Sequence, residues 1–317
     1  MKPLLLLAIC ISLTWACAES SQQSKPIKIA TSPWPGNEFL HLANELGYFK
    51  AAGLNVELLQ LTSLSDSQDA YIQGHADGIA SSLVEVVLAP HLGGQPLSVV
   101  LFPDYSNGGD VILTRNNDVS ISDLKGKRIG VEIASLGIYV LARALNKYGM
   151  TIKDVELVNL SQETGLKAMQ VGELDALVTY PPFSTRLLRQ PGIHQVFNTT
   201  EIPYEILDTV AVSTHTLERN PDLIDKFRLV WQQALDYSRA HPNHSYQLMA
   251  DRLQLSQEEF IQALQGIEIL SAHEQANLFS QQQKINRLTR QVCDLLVETD
   301  NISSSCLDSK PLFDAPN

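Results

Sequence analysis

From residue 27 to residue 102 the chain alternates short apolar β runs with amphipathic helical stretches, and no other feature constrains its fold as much. The β runs are 27–30, 54–61, 78–80 and 97–102. Between them, residues 38–46 place Phe39, Leu42, Ala43 and Leu46 on one helical face. Residues 48–53 read as a short helical turn closed by Gly53, and 65–73 and 83–91 as further helices. Strand, helix, strand in succession implies parallel neighbours, because a parallel pair needs a crossover longer than a hairpin turn. The expected class is α/β, a parallel sheet with helices on both faces. Ligands on such sheets bind at the carboxyl ends of strands. Here those ends are residues 32–36, Ser81 with Ser82, and residues 105–108.

The stretch 101–115, LFPDYSNGGDVILTR, closes this unit. It reads as a strand end, a polar turn at 105–109 and a new strand, with Gly108 and Gly109 free to take positive φ or to let another group approach. The alternation then resumes, with β runs at 128–131, 155–159, 176–179 and 196–197 and helices at 137–148, 162–171 and from Ser184. Residues 206–213, ILDTVAVS, form one more β run, and the chain beyond is helical to about residue 299. Two β runs, 111–114 outward and 209–213 back, are expected to cross between two lobes. The first part of lobe 1 is then 27–112, lobe 2 is 113–207, the return to lobe 1 with the C-terminal helices is 208–299, and 300–317 is a tail. Two crossings leave a cleft between the lobes, and hinge closure on a small ligand follows from that geometry.

The chain of 317 residues carries a formal charge of −12. Without basic runs it cannot neutralise a phosphate backbone, so nucleic acid is not expected as a partner. Met1-Lys2 and the uncharged apolar stretch 3–15 are too short for a membrane span and read as a secretory leader, residues 1–17. Two cuts stay open. Cleavage after Ala18 leaves a soluble exported protein, whereas a lipoprotein signal leaves Cys17 acylated and the protein anchored. Cys293 and Cys306 form an even pair in an exported chain and are expected to bond. The alternative is two unpaired thiols on the tail. No Cys/His cluster suggests a metal, and no cofactor is expected.

Several segments in order match one family. They are Trp34-Pro35-Gly36 with Leu42-Ala43 and Leu46-Gly47-Tyr48-Phe49, then Gly53-Leu54-Asn55-Val56-Glu57 and Gly74-His75-Ala76-Asp77-Gly78. Further on come Leu124-Lys125-Gly126-Lys127-Arg128-Ile129-Gly130-Val131, Gly172-Glu173-Leu174-Asp175-Ala176 and Glu201-Ile202-Pro203. Across about residues 27–280 the chain resembles the periplasmic solute-binding proteins of ABC importers, in the class of nitrate, sulfonate and thiamine-pyrimidine binders. The resemblance implies a type II periplasmic-binding-protein fold, two α/β lobes with a ligand cleft between them. It also implies no catalysis, a periplasmic location and delivery of ligand to an inner-membrane ABC permease, with the chain expected as a monomer. Relatives often carry Glu where this chain has Pro181, so ligand identity does not transfer.

Candidate ligand contacts follow from the strand ends. Ser32, Trp34 and Gly36 sit between strand and helix, and Trp34 offers a stacking wall or simply packs under its loop. Ser81 and Ser82 precede a helix whose N–H groups can hold an oxyanion or carbonyl, or serve as plain caps. Glu85 points into the cleft or onto a solvated face. Tyr105, Asn107 and Asp110 belong to the turn; Asp110 either holds a positive or N–H-bearing group or only closes the turn. Ala134 and Ser135 open a helix of lobe 2, Tyr180 supplies the opposite wall, and Asp208 adds a carboxylate or a hinge bond. Asp110, Glu85 and Asp208 are acidic and no Lys or Arg stands at a strand end. A neutral or amine-bearing heterocycle, or another small polar organic molecule, is therefore preferred to an ionised anion. Two competing functions remain. One is a ligand sensor docking on a membrane receptor. The other is a pyrimidine-precursor synthase. Such synthases carry a Cys-rich motif and a catalytic His in the body of the fold, and here no Cys lies between Cys17 and Cys293 and no Gly-x-Ser-x-Gly nucleophile elbow is present.

Overall fold

The computed structural model describes residues 25–303. The first half of lobe 1 comprises β1 (Ile27–Thr31), α1 (Glu38–Glu45), α2 (Tyr48–Ala51), β2 (Val56–Gln60), α3 (Leu64–Ile72), β3 (Gly78–Ser82), α4 (Leu83–His91), β4 (Leu97–Leu101) and the short β5 (Asp104–Ser106). Lobe 2 comprises β6 (Val111–Thr114), β7 (Arg128–Val131), α5 (Leu136–Lys147), β8 (Glu156–Asn159), α6 (Gln162–Val171), β9 (Ala176–Thr179), α7 (Phe183–Leu188) and β10 (His194–Asn198). The chain returns through β11 (Asp208–Ser213). It ends in α8 (Thr214–Arg219), α9 (Leu223–Ala240), α10 (Pro242–Leu253), α11 (Gln257–Leu264), β12 (Ile267–Ile269), α12 (Ala272–Ser280) and α13 (Gln282–Glu298).

Each lobe is built on a mixed five-stranded sheet, ordered β2-β1-β3-β11-β4 in lobe 1 and β10-β6-β9-β7-β8 in lobe 2. The strands joined by crossover helices pair in parallel, β1 with β2 and β3, and β7 with β8 and β9. The strands arriving from the other lobe pair antiparallel: β11 with β3 and β4, and β6 with β9. Central strands are covered on both faces, and β3, β6 and β9 are buried at every residue. That is why they read as continuous apolar or small-residue runs rather than alternating ones. In lobe 1 the apolar faces of α1 and α9 close one side, with Phe39 edge-on to Trp231 at 5.7 Å.

The crossing between lobes differs from the sequence expectation. The runs 111–114 and 209–213 do not bridge; each lies wholly inside one sheet. The crossing is made just outside them, by residues 107–110 and 199–207. These passages run side by side, since the Thr199 N–H donates to Asp110 O at 3.1 Å and the Gly108 N–H donates to Thr199 Oγ1 at 2.7 Å. The expected polar turn at 105–109 is also part strand, because β12 pairs with β5 across more than 160 residues of chain, Ile269 opposite Asp104. Cys293 is buried in α13 and disulfide-bonded. Its expected partner Cys306, the leader with Cys17, and most of the tail lie outside the described residues.

Candidate functional site

A narrow cavity of ≈ 20 Å³, room for the centre of about one water molecule, lies between the lobes at the carboxyl ends of the strands. Lobe 1 lines it with Ser32, Trp34, Asn37, Leu64, Ser81 and Ser82, and lobe 2 with Leu136 and Tyr180. Asp110 and Asp208, at the two passages between lobes, complete it. Of the residues expected from sequence, Ser32, Trp34, Ser81, Ser82, Asp110, Tyr180 and Asp208 meet here.

Trp34 is fixed from three sides. Its Nε1–H donates to Asp104 Oδ1 at 3.1 Å. Its ring stands edge-on to Tyr180, centroids 6.1 Å apart. The ring tip rests on Gly109, where a Cβ would come within 2.7 Å of it. The glycine pair of the turn therefore serves the wall of the cavity: Gly108 takes φ 117° and Gly109 makes room for the indole. Gly36 does not line the cavity but stands behind it. A Cβ there would lie 2.1 Å from Asp104 Oδ2, so Gly36 is what lets Asp104 reach Trp34.

Glu85 is fully buried and stands between the lobes rather than on a solvated face. Its Oε2 accepts from Ser82 N at 3.0 Å and Ser82 Oγ at 2.7 Å, at the start of α4 in lobe 1. Its Oε1 accepts from Ser135 Oγ at 3.0 Å and Leu136 N at 2.7 Å, at the start of α5 in lobe 2. One carboxylate thus joins two helix N-termini across the cleft, where the dipoles of both favour negative charge. Burial pushes its pKa up, and the four donors pull it back. Other bonds span the lobes. Leu64 N–H donates to Tyr180 Oη at 3.2 Å and Ser65 Oγ to Glu132 Oε1 at 2.5 Å. On the rim, Arg189 Nε donates to Glu259 Oε1 at 2.5 Å, and Arg186 Nη2 to Leu253 O at 3.0 Å. This is a closed arrangement of the two lobes.

Three expected residues fall elsewhere. Tyr105 points away from the cavity, because on β5 its neighbours Asp104 and Ser106 point inward and successive side chains alternate. It lies in an outer groove against Tyr204, centroids 5.1 Å apart. Asn107 donates through Nδ2 to Glu268 Oε1 at 3.2 Å and lines a different surface groove. Ala134 is exposed at the turn before Ser135 and does not reach the cavity.

The carboxyl groups dominate the electrostatics. Asp110 closes its turn with its backbone, whose N–H donates to Ser106 Oγ at 3.1 Å, leaving the carboxyl facing the cavity. Burial raises that carboxyl to about 7, against a hydrogen bond with Ser106 that pulls it back, with smaller upward pushes from Asp104 and Glu85. Asp104, which sequence reading missed, is fully buried beside Asp208. Burial raises both, and for Asp208 the adjoining Asp104 charge adds to it, so the two behave as a pair that holds a proton between them. Asn37 was also missed; it lines the cavity and ties its Nδ2 to Ser32 O at 3.1 Å. Its one sequence signal was its place between the turn at 32–36 and α1.

Residues 34–245 match the family model described as NMT1/THI5 like. The chain belongs to that family. A Brucella abortus (strain 2308) relative named as a binding protein is 24% identical over 262 residues, 80% of each chain. A Saccharomyces cerevisiae relative named 4-amino-5-hydroxymethyl-2-methylpyrimidine phosphate synthase is 24% identical over 225 residues, 66% of this chain and 65% of that one. Among solved structures, the periplasmic aliphatic sulphonate binding protein SsuA from Escherichia coli superposes with a TM-score of 0.71 at 19% identity, over 89% of this chain and 94% of SsuA. At that identity the likeness establishes the fold, a periplasmic-binding-protein fold of two α/β lobes.

Proposed function

We propose that this member of the NMT1/THI5-like family is the extracytoplasmic solute-binding subunit of an ABC importer. It would capture one small polar organic molecule between its lobes and present the closed form to a membrane permease. The observation that carries the reading is the cavity itself. It is lined from both lobes, sits at the strand ends beside the two interlobe passages, and is sealed by hydrogen bonds that exist only when the lobes meet. A site of that kind couples occupancy to closure, because a ligand touching both lobes binds the closed state better than the open one. A permease can then distinguish loaded from empty protein by shape. Against the synthase reading, the described residues lining the cavity include no Cys and no His.

Native mass spectrometry of the freshly purified full chain, followed by calorimetry with whatever it retains, tests the proposal. One small molecule per chain, bound reversibly and accompanied by a smaller radius of gyration in X-ray scattering, is the expected outcome. Steady conversion of that molecule to a product, or binding with no change in radius, would overturn it.

A further inference from the structure

The carboxyl groups around the cavity exceed what the protein can pair. Asp110 is 3% exposed and lines the cavity, and its Oδ2 has no hydrogen-bond partner. Asp104 stands behind it, fully buried, its Oδ1 accepting from the Trp34 N–H and its carboxyl sharing a proton with Asp208. Asp208 lines the same cavity, 7% exposed. The other titratable group that acts on them is Glu85 at the start of α4; the phenol of Tyr180 after β9 is in turn pushed up by burial and then by Glu132 after β7, Asp110 and Glu85. The described lining residues include no Lys, Arg or His. Buried carboxylates without partners are costly, so a folded chain holds such a cluster by keeping protons on part of it or by receiving positive charge from outside.

The walls match the second solution. Trp34 and Tyr180 both line the cavity; the indole N–H is engaged by Asp104, and the phenol oxygen accepts from the Leu64 N–H. What they offer a ligand is ring surface, and aromatic faces attract cations. The carboxyls offer acceptors, which suit a forked set of N–H donors.

We propose that the cavity receives a small planar organic cation of the amidinium type, its N–H groups donating to Asp110 and Asp208 and its plane lying against one of the two mutually edge-on rings, Trp34 or Tyr180. The inference rests on the binding-protein reading above and narrows its ligand class. Entry requires the lobes to part, since the closed cavity is only ≈ 20 Å³. It also has a proton balance. The unliganded cluster holds protons on some carboxyls; when one positive charge enters, one carboxyl ionises and its proton leaves to the buffer.

The test uses the dialysed full chain and two near-isosteric series, acetamidinium, acetamide and acetate, and benzamidinium, benzamide and benzoate. Thermal shift ranks them at millimolar concentration, and calorimetry in phosphate and in Tris counts protons released. At least one amidinium is expected to raise the transition temperature while its amide and carboxylate do not, with buffer-dependent heat showing proton release. Asp110→Asn is expected to weaken the amidinium at least about tenfold and to reduce the proton count. Asp208→Asn, read by the same ratio, keeps the test alive where the first variant fails to fold. Amide or carboxylate binding as tightly as the amidinium, or no shift with either amidinium, overturns the inference. In that event native mass spectrometry separates the two levels. A retained neutral or anionic solute leaves the binding-protein reading standing, and no retained solute with no hit among small molecules of any charge removes both.

Discussion

Glu85 offers the sharpest mechanical test, because two of its four accepted hydrogen bonds belong to one lobe and two to the other. In Glu85→Gln one oxygen becomes an NH2 group, and either orientation sets that group against a backbone N–H. The Ser82 side is local to α4 and survives opening, so the carbonyl is expected to stay there and the NH2 to face Leu136. The closed state then loses the Leu136 bond, while the Ser135 hydroxyl can turn to accept. A hydrogen bond to a charged group contributes about 1.5–3 kcal/mol. The closed-to-open ratio should therefore fall roughly 10- to 150-fold. Amide hydrogen exchange reads this at a residue Glu85 does not bond. The Leu64 N–H, at the first residue of α3, donates across the cleft to Tyr180 Oη. Where exchange follows the open population, Leu64 should exchange faster by the same factor. If the variant speeds exchange at Ser82 and Leu136 but leaves Leu64 unchanged, Glu85 is a local cap and not a latch between lobes.

Two further outcomes follow from buried charge. Burial lifts the folded Asp110 carboxyl to about 7, against about 3.9 unfolded, so the folded chain binds more protons in between. The stability Asp110 contributes is complete below about pH 4 and is lost as pH rises through about 7. Asp110→Asn should therefore stabilise the unliganded protein at pH 8 by on the order of 2–4 kcal/mol and leave it little changed at pH 4. His41 works in the opposite sense: burial lowers its pKa to about 3, so its contribution is lost as pH falls below about 6.5. For that reason wild type and variant are compared at each pH by thermal denaturation, and equal differences at pH 5 and pH 8 would refute the assignment. In the returning passage, Glu205 accepts from Arg143 Nε at 2.6 Å, Arg143 Nη2 at 2.8 Å, Tyr139 Oη at 3.1 Å and Gln291 Nε2 at 2.8 Å, pinning that passage to α5 and α13. Glu205→Gln should lower unfolding free energy by about 1–3 kcal/mol in urea titration, and no measurable loss would show the passage is held by packing alone.

The fold was legible in the sequence because alternation of β run and helix leaves few ways to bury both faces of a sheet. The strand-end residues of the cavity were legible for the same reason: Ser32, Ser81 and Tyr180 follow strands whose ends the pattern locates. What failed to show was anything that depends on distant pairing. Residues 104–106 carry no strand signature strong enough to outweigh Pro103 before them and the glycines after them. They become a strand only because residues 267–269, after most of the helices, lie alongside. That pairing decides which way each side chain points. It turns Asp104 and Ser106 inward and Tyr105 outward, the reverse of a reading that took the stretch as a turn with Tyr105 presented to the cleft.

Asp104 therefore links the two halves of the problem. Its place is set by β12, its approach to Trp34 is permitted by Gly36, and its carboxyl adjoins Asp208 at the start of the returning strand. The acidic count read from sequence, Glu85, Asp110 and Asp208, was too small by this one group and gave only a leaning towards amine-bearing ligands. With Asp104 present, one carboxyl cluster touches the outgoing passage, the returning passage and the aromatic wall together. Neutralising it by a cation would change the electrostatics of both passages at the same moment as it fills the cavity. Charge and closure would then be linked through the same few atoms, and a ligand without positive charge would have to leave that cluster protonated to be held at all.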